Sequence, residues 1–350
     1  MKTDPMSTNS RLLFLFLIVF AIIAVTACVS PEQPASVVPP TPALTTVRVA
    51  YLPVISYGPL FIAREEGYFA RQGINVEFEK VQSPSITIPS LINGDIAVSS
   101  TLSPSFINAI AKGAHVRIVA DKGRNSPGRS CNASGFMVRR DLFESGAVTR
   151  PSDLEGRKIM VPAEQDYSIS LLMKMGNLSS EDVETVVMDF PSGLVALRNG
   201  AVDGGILTEP FVTQALDSKA AVMLLPTEVS TPDFPFPLLY GPAILDKDPD
   251  LGRRFMVAYL EGAQQYNQGK TERNLAILSN YTHLDRDLLQ RTCWMPIDPD
   301  GDLPRQPVRD YMDWMYANKM ISQNLDDDQL YDMSYVTYAR SVRGNISGSG

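Results

Sequence analysis

Hydrophobic and polar positions change period several times along this chain, and each change marks an element. Val47-Arg48-Val49-Ala50-Tyr51 alternates as a short strand that ends at Leu52-Pro53. Tyr57 to Glu66 carries a helical pattern closed by Gly67, and Gly73 turns the chain into Ile74-Asn75-Val76-Glu77-Phe78, a second strand of period two. Ser83-Pro84-Ser85 opens a helix that runs through Ile92, with the serine expected to accept free first-turn amides. Asn93-Gly94-Asp95 is a turn, Ile96-Ala97-Val98 a short buried strand, Ser103 to Ala111 a helix and Val116 to Ala120 a strand. Strand alternating with helix predicts parallel strands in a doubly wound α/β sheet.

The same grammar restarts after Cys131. Gly135 to Val138 and Lys158 to Pro162 read as strands on either side of a capped turn, Pro151 to Gly156. Tyr167 to Met175 is a helix closed by Gly176, and Ser180 is expected to cap a short helix. Thr185 to Met188 and Gly204 to Leu207 are strands around a helical stretch, Pro191 to Asn199. After the proline-rich stretch Pro232 to Pro237 and Leu238-Leu239-Tyr240-Gly241, the pattern turns helical. The predicted segments lie near Leu251–Gln268, Thr271–Asn280, Asp285–Thr292, Pro307–Asn318 and Asp326–Tyr338, and are expected to return to cover the first lobe. The expected fold class is therefore α/β with two doubly wound lobes, 47–134 with 236–350 as one and 135–235 as the other.

The N-terminus follows a different logic. Lys2 and Arg11 precede Leu12 to Val25, an unbroken apolar run of 14 residues. A bilayer-spanning helix takes about 20, so the run suits a secretion signal instead. Val25-Thr26-Ala27-Cys28 resembles the lipobox of bacterial lipoproteins, in which the cysteine sulfur is acylated and the chain is cut just before it. Residues 1–27 are thus expected to be a lipoprotein signal peptide, and 28–46 a lipidated cysteine followed by a linker. Between Val29 and Thr46 the linker holds five prolines, which favour an extended spacer. The expected location is the outer face of the cell membrane, through a lipid on Cys28. The simpler alternative is a soluble secreted chain cut after Ala27.

Composition narrows the function. The formal charge is −8, and removal of Lys2, Arg11 and Asp4 with the signal leaves −9. An acidic body argues against nucleic acid, whose binding needs clustered Lys and Arg. The hydrophobic share of 44% allows a large core in each lobe. Cys131 and Cys293 could pair or stay free. His115 and His283 are the two histidines, without a ligand cluster around either, so no metal, cofactor or His-based triad is expected.

Several runs together resemble a known family. Ala63-Arg64-Glu65-Glu66-Gly67-Tyr68-Phe69 with Gln72-Gly73-Ile74-Asn75-Val76-Glu77 resembles the opening of ABC-transporter solute-binding proteins of the nitrate, sulfonate, taurine and thiamine-pyrimidine group. Leu91 to Ala97, Asp153 to Ile159, Leu197 to Asp203 and Thr208-Glu209-Pro210-Phe211 match its later signatures in order. The resemblance implies a periplasmic-binding-protein type II fold: two lobes joined by crossing strands that close on a small molecule, with permease and ATPase subunits as partners. It also implies a binding protein and no enzyme. Some thiamine-pyrimidine relatives are synthases, associated with a cysteine-rich motif and an active-site histidine that this chain lacks in matching form.

Ligands in open α/β sheets lie beyond the carboxyl ends of strands. That rule selects Tyr51, Ser56 and Tyr57 after the first strand and Ser99, Ser100 and Thr101 after the third. It selects Glu164, Asp166 and Tyr167 in the second lobe, then Glu209 after its later strand; Tyr240 is counted with them. Tyr57 and Tyr167 are candidates for ring stacking or for packing. The serines could bind ligand or cap the next helix, and the carboxylates could accept ligand protons or be solvated. Three carboxylates in these loops, against Lys122, Arg124 and Arg129 in the inter-lobe stretch, favour a neutral hydroxyl- or amine-bearing ring over an anion. Within the resembled family that implies the vitamin branch, riboflavin first and a thiamine-pyrimidine precursor second. Nitrate, taurine or an alkanesulfonate is the alternative, and a synthase-like enzyme a further one.

Overall fold

The computed structural model describes residues 43–162 and 167–347. The signal segment, Cys28 and the linker to Pro42 lie outside the described residues, as do Glu164 and Asp166. The strands are β1 (Thr45–Tyr51), β2 (Ile74–Lys80), β3 (Val98–Ser99), β4 (Arg117–Arg124), β5 (Ser134–Arg139), β6 (Lys158–Val161), β7 (Glu184–Val187), β8 (Gly204–Thr208), β9 (Ala221–Pro226) and β10 (Pro235–Tyr240). They form two five-stranded sheets, ordered β2-β1-β3-β10-β4 and β7-β6-β8-β5-β9.

Each sheet is mixed where the alternating pattern predicted parallel strands. In the first, β1 runs parallel to β2 and β3, and β10 runs antiparallel to β3 and β4. In the second, β6 is parallel to β7 and β8, and β5 is antiparallel to β8 and β9. The reversed strands are those that follow a crossing between sheets: β5 enters the second sheet directly from β4, and β10 returns to the first. The prolines of β10 are tolerated because β3 pairs only with Leu239 and Tyr240. Pro235 and Pro237 therefore lie where one side of the strand carries no ladder.

Helices cover both faces of both sheets. One face of the first sheet packs Val47, Val49 and Val98 against Leu60, Phe61, Phe255 and Tyr259. The other meets Phe106, Ile107, Val308 and Met315. The second sheet has corresponding cores around Ile159, Val161 and Leu172, and around Met160, Leu197 and Leu207. The late helices Pro249–Tyr266, Glu272–Thr282, Gln306–Ala317 and Ser334–Ser347 all lie on the first sheet. No helix among the described residues is long and apolar enough to cross a membrane.

Local expectations were changed where tertiary pairing intervened. β1 begins two residues early, since β-branched Thr45 and Thr46 pair with Ile74 and Asn75. β4 continues four residues past Ala120, because Pro237 and Pro235 of β10 pair with Asp121 and Arg124. Ser83 precedes its helical turn with no side-chain cap. Ser179 rather than Ser180 caps the short turn, accepting from Glu181 N at 3.3 Å. Asn177, not Gly176, takes the left-handed conformation after Met175. The stretch Asp326–Tyr338 is split: Asp327–Leu330 is one turn, Tyr331 bridges to Ile118, and a new helix starts at Ser334.

The first core depends on a close helix pair. A Cβ placed on Gly262 would lie 2.2 Å from the Pro59 carbonyl oxygen and 3.0 Å from Ala63 Cβ. Only glycine lets the helix Pro249–Tyr266 approach Gly58–Glu65 this closely. Gly262→Ala is expected to cost about 1–3 kcal/mol of folding stability through overpacking. Denaturant unfolding of the purified protein checks it, and an unchanged midpoint would show that the helices separate without cost.

Candidate functional site

In the first sheet β4 and β3 are both antiparallel to β10, so β1, β3 and β4 point the same way. Their carboxyl ends share one edge, and the polypeptide leaves that edge for the second sheet. The crossing consists of two segments, 125–133 and 227–234. Asn125 ties them: its backbone N–H donates to Phe234 O at 3.0 Å, and its side-chain amide to Thr231 Oγ1 at 2.9 Å. Cys131 of the first segment is joined by a disulfide to Cys293, in the region that packs on the first sheet. The expected cleft falls between these crossings and the strand ends, where Arg124, Asn125, Ser126, Arg129 and Glu228 line a small cavity.

On the first-sheet side, the single turn Ile55–Tyr57 brings Ser56 and Tyr57 back over β4. There they meet Lys122. The Lys122 residue is only 3% exposed. Its Nζ donates to Ser56 Oγ at 3.1 Å and stands 4.1 Å from the centre of the Tyr57 ring. It makes no ion pair among the described residues, and the one charge acting on it nearby is Asp121. Strand alternation turns the Asp121 carboxylate away from Lys122. That carboxylate accepts from Asp298 N at 2.8 Å and Gly123 N at 3.1 Å. Burial pushes the Asp121 carboxyl up to about 6. Desolvation lowers the Lys122 ammonium to about 7, with Asp121 opposing the shift.

On the second-sheet side the helix Tyr167–Met175 turns Ile169, Leu172 and Met173 into its own core. Tyr167 and Ser170 face the other way. The Tyr167 ring packs 5.0 Å from Tyr311, 5.2 Å from Trp314 and 6.0 Å from Phe234. Trp314 Nε1 donates to Ser170 Oγ at 3.0 Å. An aromatic wall thus spans both lobes, with offset geometries that favour such ring contacts.

The structure brings part of the expected set together and reassigns the rest. Ser56 belongs to the Lys122 group, and Thr101 is half-buried just beyond β3. Tyr51 is half-buried against Phe61 and Phe78, at 5.6 Å from each. Four expected ligand contacts are corrected. Tyr57 offers no open face for stacking: it is 2% exposed, Lys122 lies over its ring, and its hydroxyl is in hydrogen-bonding contact with Ser100 and the Leu52 backbone. Ser99 shares a 2.7 Å hydrogen bond with Thr87 inside the first lobe. Tyr240 is core, its hydroxyl donating to Gly252 O at 3.0 Å. Glu209 is 5% exposed, and its oxygens accept from Thr213 N, Thr213 Oγ1 and Cys293 N at 3.1, 2.8 and 2.9 Å. It caps a helix and ties the second lobe to Cys293. Ser100 stays at the edge through Tyr57. Glu164 and Asp166 lie outside the described residues.

Lys122, Phe234, Tyr311 and Trp314 were absent from the expected set. The sequence carried one signal for Lys122: a charged pair, Asp121-Lys122, prolongs the apolar run Ile118-Val119-Ala120 without a turn residue. Tyr311 and Trp314 come from a helix some 70 residues after the crossing, and local pattern gave no reason to bring them to Tyr167.

The buried ammonium makes a testable demand on stability. Its folded value is lowered to about 7 from an ordinary 10.5, so between those values the unfolded chain binds more protons. Stability from this group therefore rises as pH climbs from 7 towards 9, by about 2 kcal/mol. Lys122→Met is expected to remove that rise. Paired melting curves of the two proteins across this range check it; identical pH slopes would refute it.

Comparison with known proteins is consistent with this architecture. The riboflavin-binding protein RibY of Chloroflexus aurantiacus is 23% identical over 272 residues, 72% of this chain and 73% of its own length. The bicarbonate-binding protein CmpA of Synechococcus is 24% identical over 268 residues, 70% of this chain and 60% of that one. The crystal structure of the periplasmic nitrate-binding protein NrtA from Synechocystis PCC 6803 superposes with a TM-score of 0.72 at 17% identity, covering 86% of this chain and 90% of that one. Its likeness shows the periplasmic-binding-protein type II fold that the family resemblance implied. The family model described as NMT1/THI5 like matches residues 55–269, which take in both crossing segments, Ser56, Lys122 and Tyr167. This chain belongs to the NMT1/THI5-like family.

Proposed function

We propose that the chain is the solute-binding component of an ABC importer, which captures a small molecule between its two lobes and delivers it to a membrane permease. One observation carries the reading: two sheets direct their strand ends at a common cleft, with hydroxyls and an ammonium on one side and an aromatic wall shared by both. Such a cleft can grip a guest from two sides, so that the guest favours the closed arrangement through contacts with each lobe. A lipid on Cys28 would hold the carrier at the membrane surface, with the proline-rich linker as spacer.

The ligand is read as a planar vitamin, riboflavin first and a thiamine-pyrimidine precursor second. The wall of Tyr167, Phe234, Tyr311 and Trp314 supports this, since ring faces stack on ring faces. RibY, a relative named for riboflavin, is consistent with it. An anion such as nitrate, taurine or an alkanesulfonate is the second reading. It is favoured by the engagement of Glu209, which removes one of the carboxylates that argued for a neutral guest. A binding role is favoured over a synthase-like one by two further facts. Cys131 and Cys293 are joined in a disulfide, and His115 pairs with Asp246 at the amino end of β4, away from the strand ends that face the cleft.

Riboflavin fluorescence should be quenched on titration with micromolar purified protein. Absence of quenching, together with tight binding of a sulfonate, would reject the vitamin reading in favour of the anion. Cys28→Ser should move the protein from the membrane fraction to the soluble fraction of its cells; unchanged membrane retention would reject the lipid anchor.

A further inference from the structure

Lys122 has more hydrogen-bonding capacity than the protein uses. An ammonium carries three N–H donors. Here one of them reaches Ser56 Oγ, while the Tyr57 ring provides a cation–π contact at 4.1 Å. No carboxylate of the described residues pairs with it, and Asp121, the charge nearest in sequence, directs its oxygens to the backbone of Gly123 and Asp298. A buried cation without a carboxylate partner is costly, and an apolar side chain of similar volume would fill the same space without that cost.

Ser56 adds a donor of its own. Because its oxygen accepts from Lys122, its hydroxyl hydrogen must point elsewhere, and Ser56 is half-buried on the turn that follows β1. Thr101 is half-buried beyond the end of β3, on the same edge of the sheet. The edge is therefore rich in donors: the nearest carboxylate at the end of β4, that of Asp298, is taken up by Arg124 at 3.6 Å, and none pairs with Lys122. Donors converging in a low-dielectric setting suit an oxygen that accepts, and charge-assisted hydrogen bonds are the stronger kind.

We propose that Lys122 Nζ and Ser56 Oγ form the recognition point for an oxygen acceptor of the ligand, a ring carbonyl or an acid oxygen, and that Lys122 selects which solutes the cleft retains. This rests on the solute-binding reading above and adds the group that the guest must present. A guest with a planar ring would lay the ring on the aromatic wall and direct its carbonyl edge to Lys122. A small anion would use the Lys122 end alone. The shared requirement is an accepting oxygen, and the two kinds of guest are separable by experiment.

The wild-type chain, Lys122→Met and Ser56→Ala are titrated by calorimetry with riboflavin, taurine, nitrate and bicarbonate as probes. Whichever probe binds the wild type is expected to bind Lys122→Met about 10- to 100-fold more weakly, the loss of one charge-assisted contact. Ser56→Ala is expected to lose several-fold. The melting temperature of unliganded Lys122→Met should be at or above that of the wild type, which separates lost recognition from lost folding. If Lys122→Met is folded by that measure and binds the same probe within twofold of wild type, the proposal is overturned while the importer reading stands. If Lys122→Met does not fold, wild-type affinity in Ser56→Ala overturns it instead. Binding of an anion but not riboflavin, with loss in Lys122→Met, supports the proposal and rejects the vitamin assignment. Failure of all four probes on the wild type, each of which carries an accepting oxygen, overturns the proposal, and the importer reading falls with it only if a thiamine-pyrimidine precursor and an alkanesulfonate also fail to bind.

Discussion

A cleft between two sheets requires their strand ends to face one another, and here two crossing segments and one disulfide enforce that. Asn125 holds the crossings together by bonding to Thr231 and to the Phe234 carbonyl. Cys131 and Cys293 add a covalent tie between a crossing and the helical region that covers the first sheet. Glu209 reinforces it from the second sheet by accepting the Cys293 N–H at 2.9 Å. On the helix Tyr167–Met175 the lobes meet again, through the Tyr167 ring against Tyr311 and Trp314 and the Trp314 Nε1–Ser170 Oγ hydrogen bond.

The electrostatics of the cleft are set by which charges the fold neutralises internally. Asp121 and Glu209 are acidic and buried, yet each is satisfied by backbone N–H groups and acts as structural glue. Burial raises both carboxyls above their ordinary range, while those same hydrogen bonds hold them back. Lys122 is the opposite case: a cation with one hydroxyl and one ring as company. An acidic chain of charge −8 thus buries a lysine without a carboxylate partner among the described residues. Net charge governs long-range behaviour, and the state of individual buried groups governs what a pocket accepts.

Packing follows the same division between local and distant causes. The helix Pro249–Tyr266 approaches its partner so closely that Gly262 has no room for a Cβ, while Phe255 and Tyr259 of the same helix are buried in the first core. Burying such side chains contributes about 1.5–3 kcal/mol each relative to exposure, so this one helix face anchors the first sheet. It does so from a position in sequence beyond the second lobe. The first lobe is complete only after the chain has left it and returned.

The sequence alone determined the elements, since strand and helix periods follow from which face each residue must bury. The placing of β1, β2, β6, the helix Tyr167–Met175 and the late helices was legible for that reason, and so was the rule that puts the site at strand ends. Family-like runs added the crossing strands that join the two lobes. What local pattern could not decide was the partner of each polar group. Glu209 and Lys122 look alike in sequence, one charged residue just past or within an apolar strand. Thr213 reaches Glu209 locally, four residues on, but only the fold brings the Cys293 amide to it and leaves Lys122 beside a serine and a ring. The Cys293 amide lies 84 residues from Glu209 and the Ser56 hydroxyl 66 from Lys122, so tertiary structure decides which buried charge is tied into the frame by backbone amides and which is not.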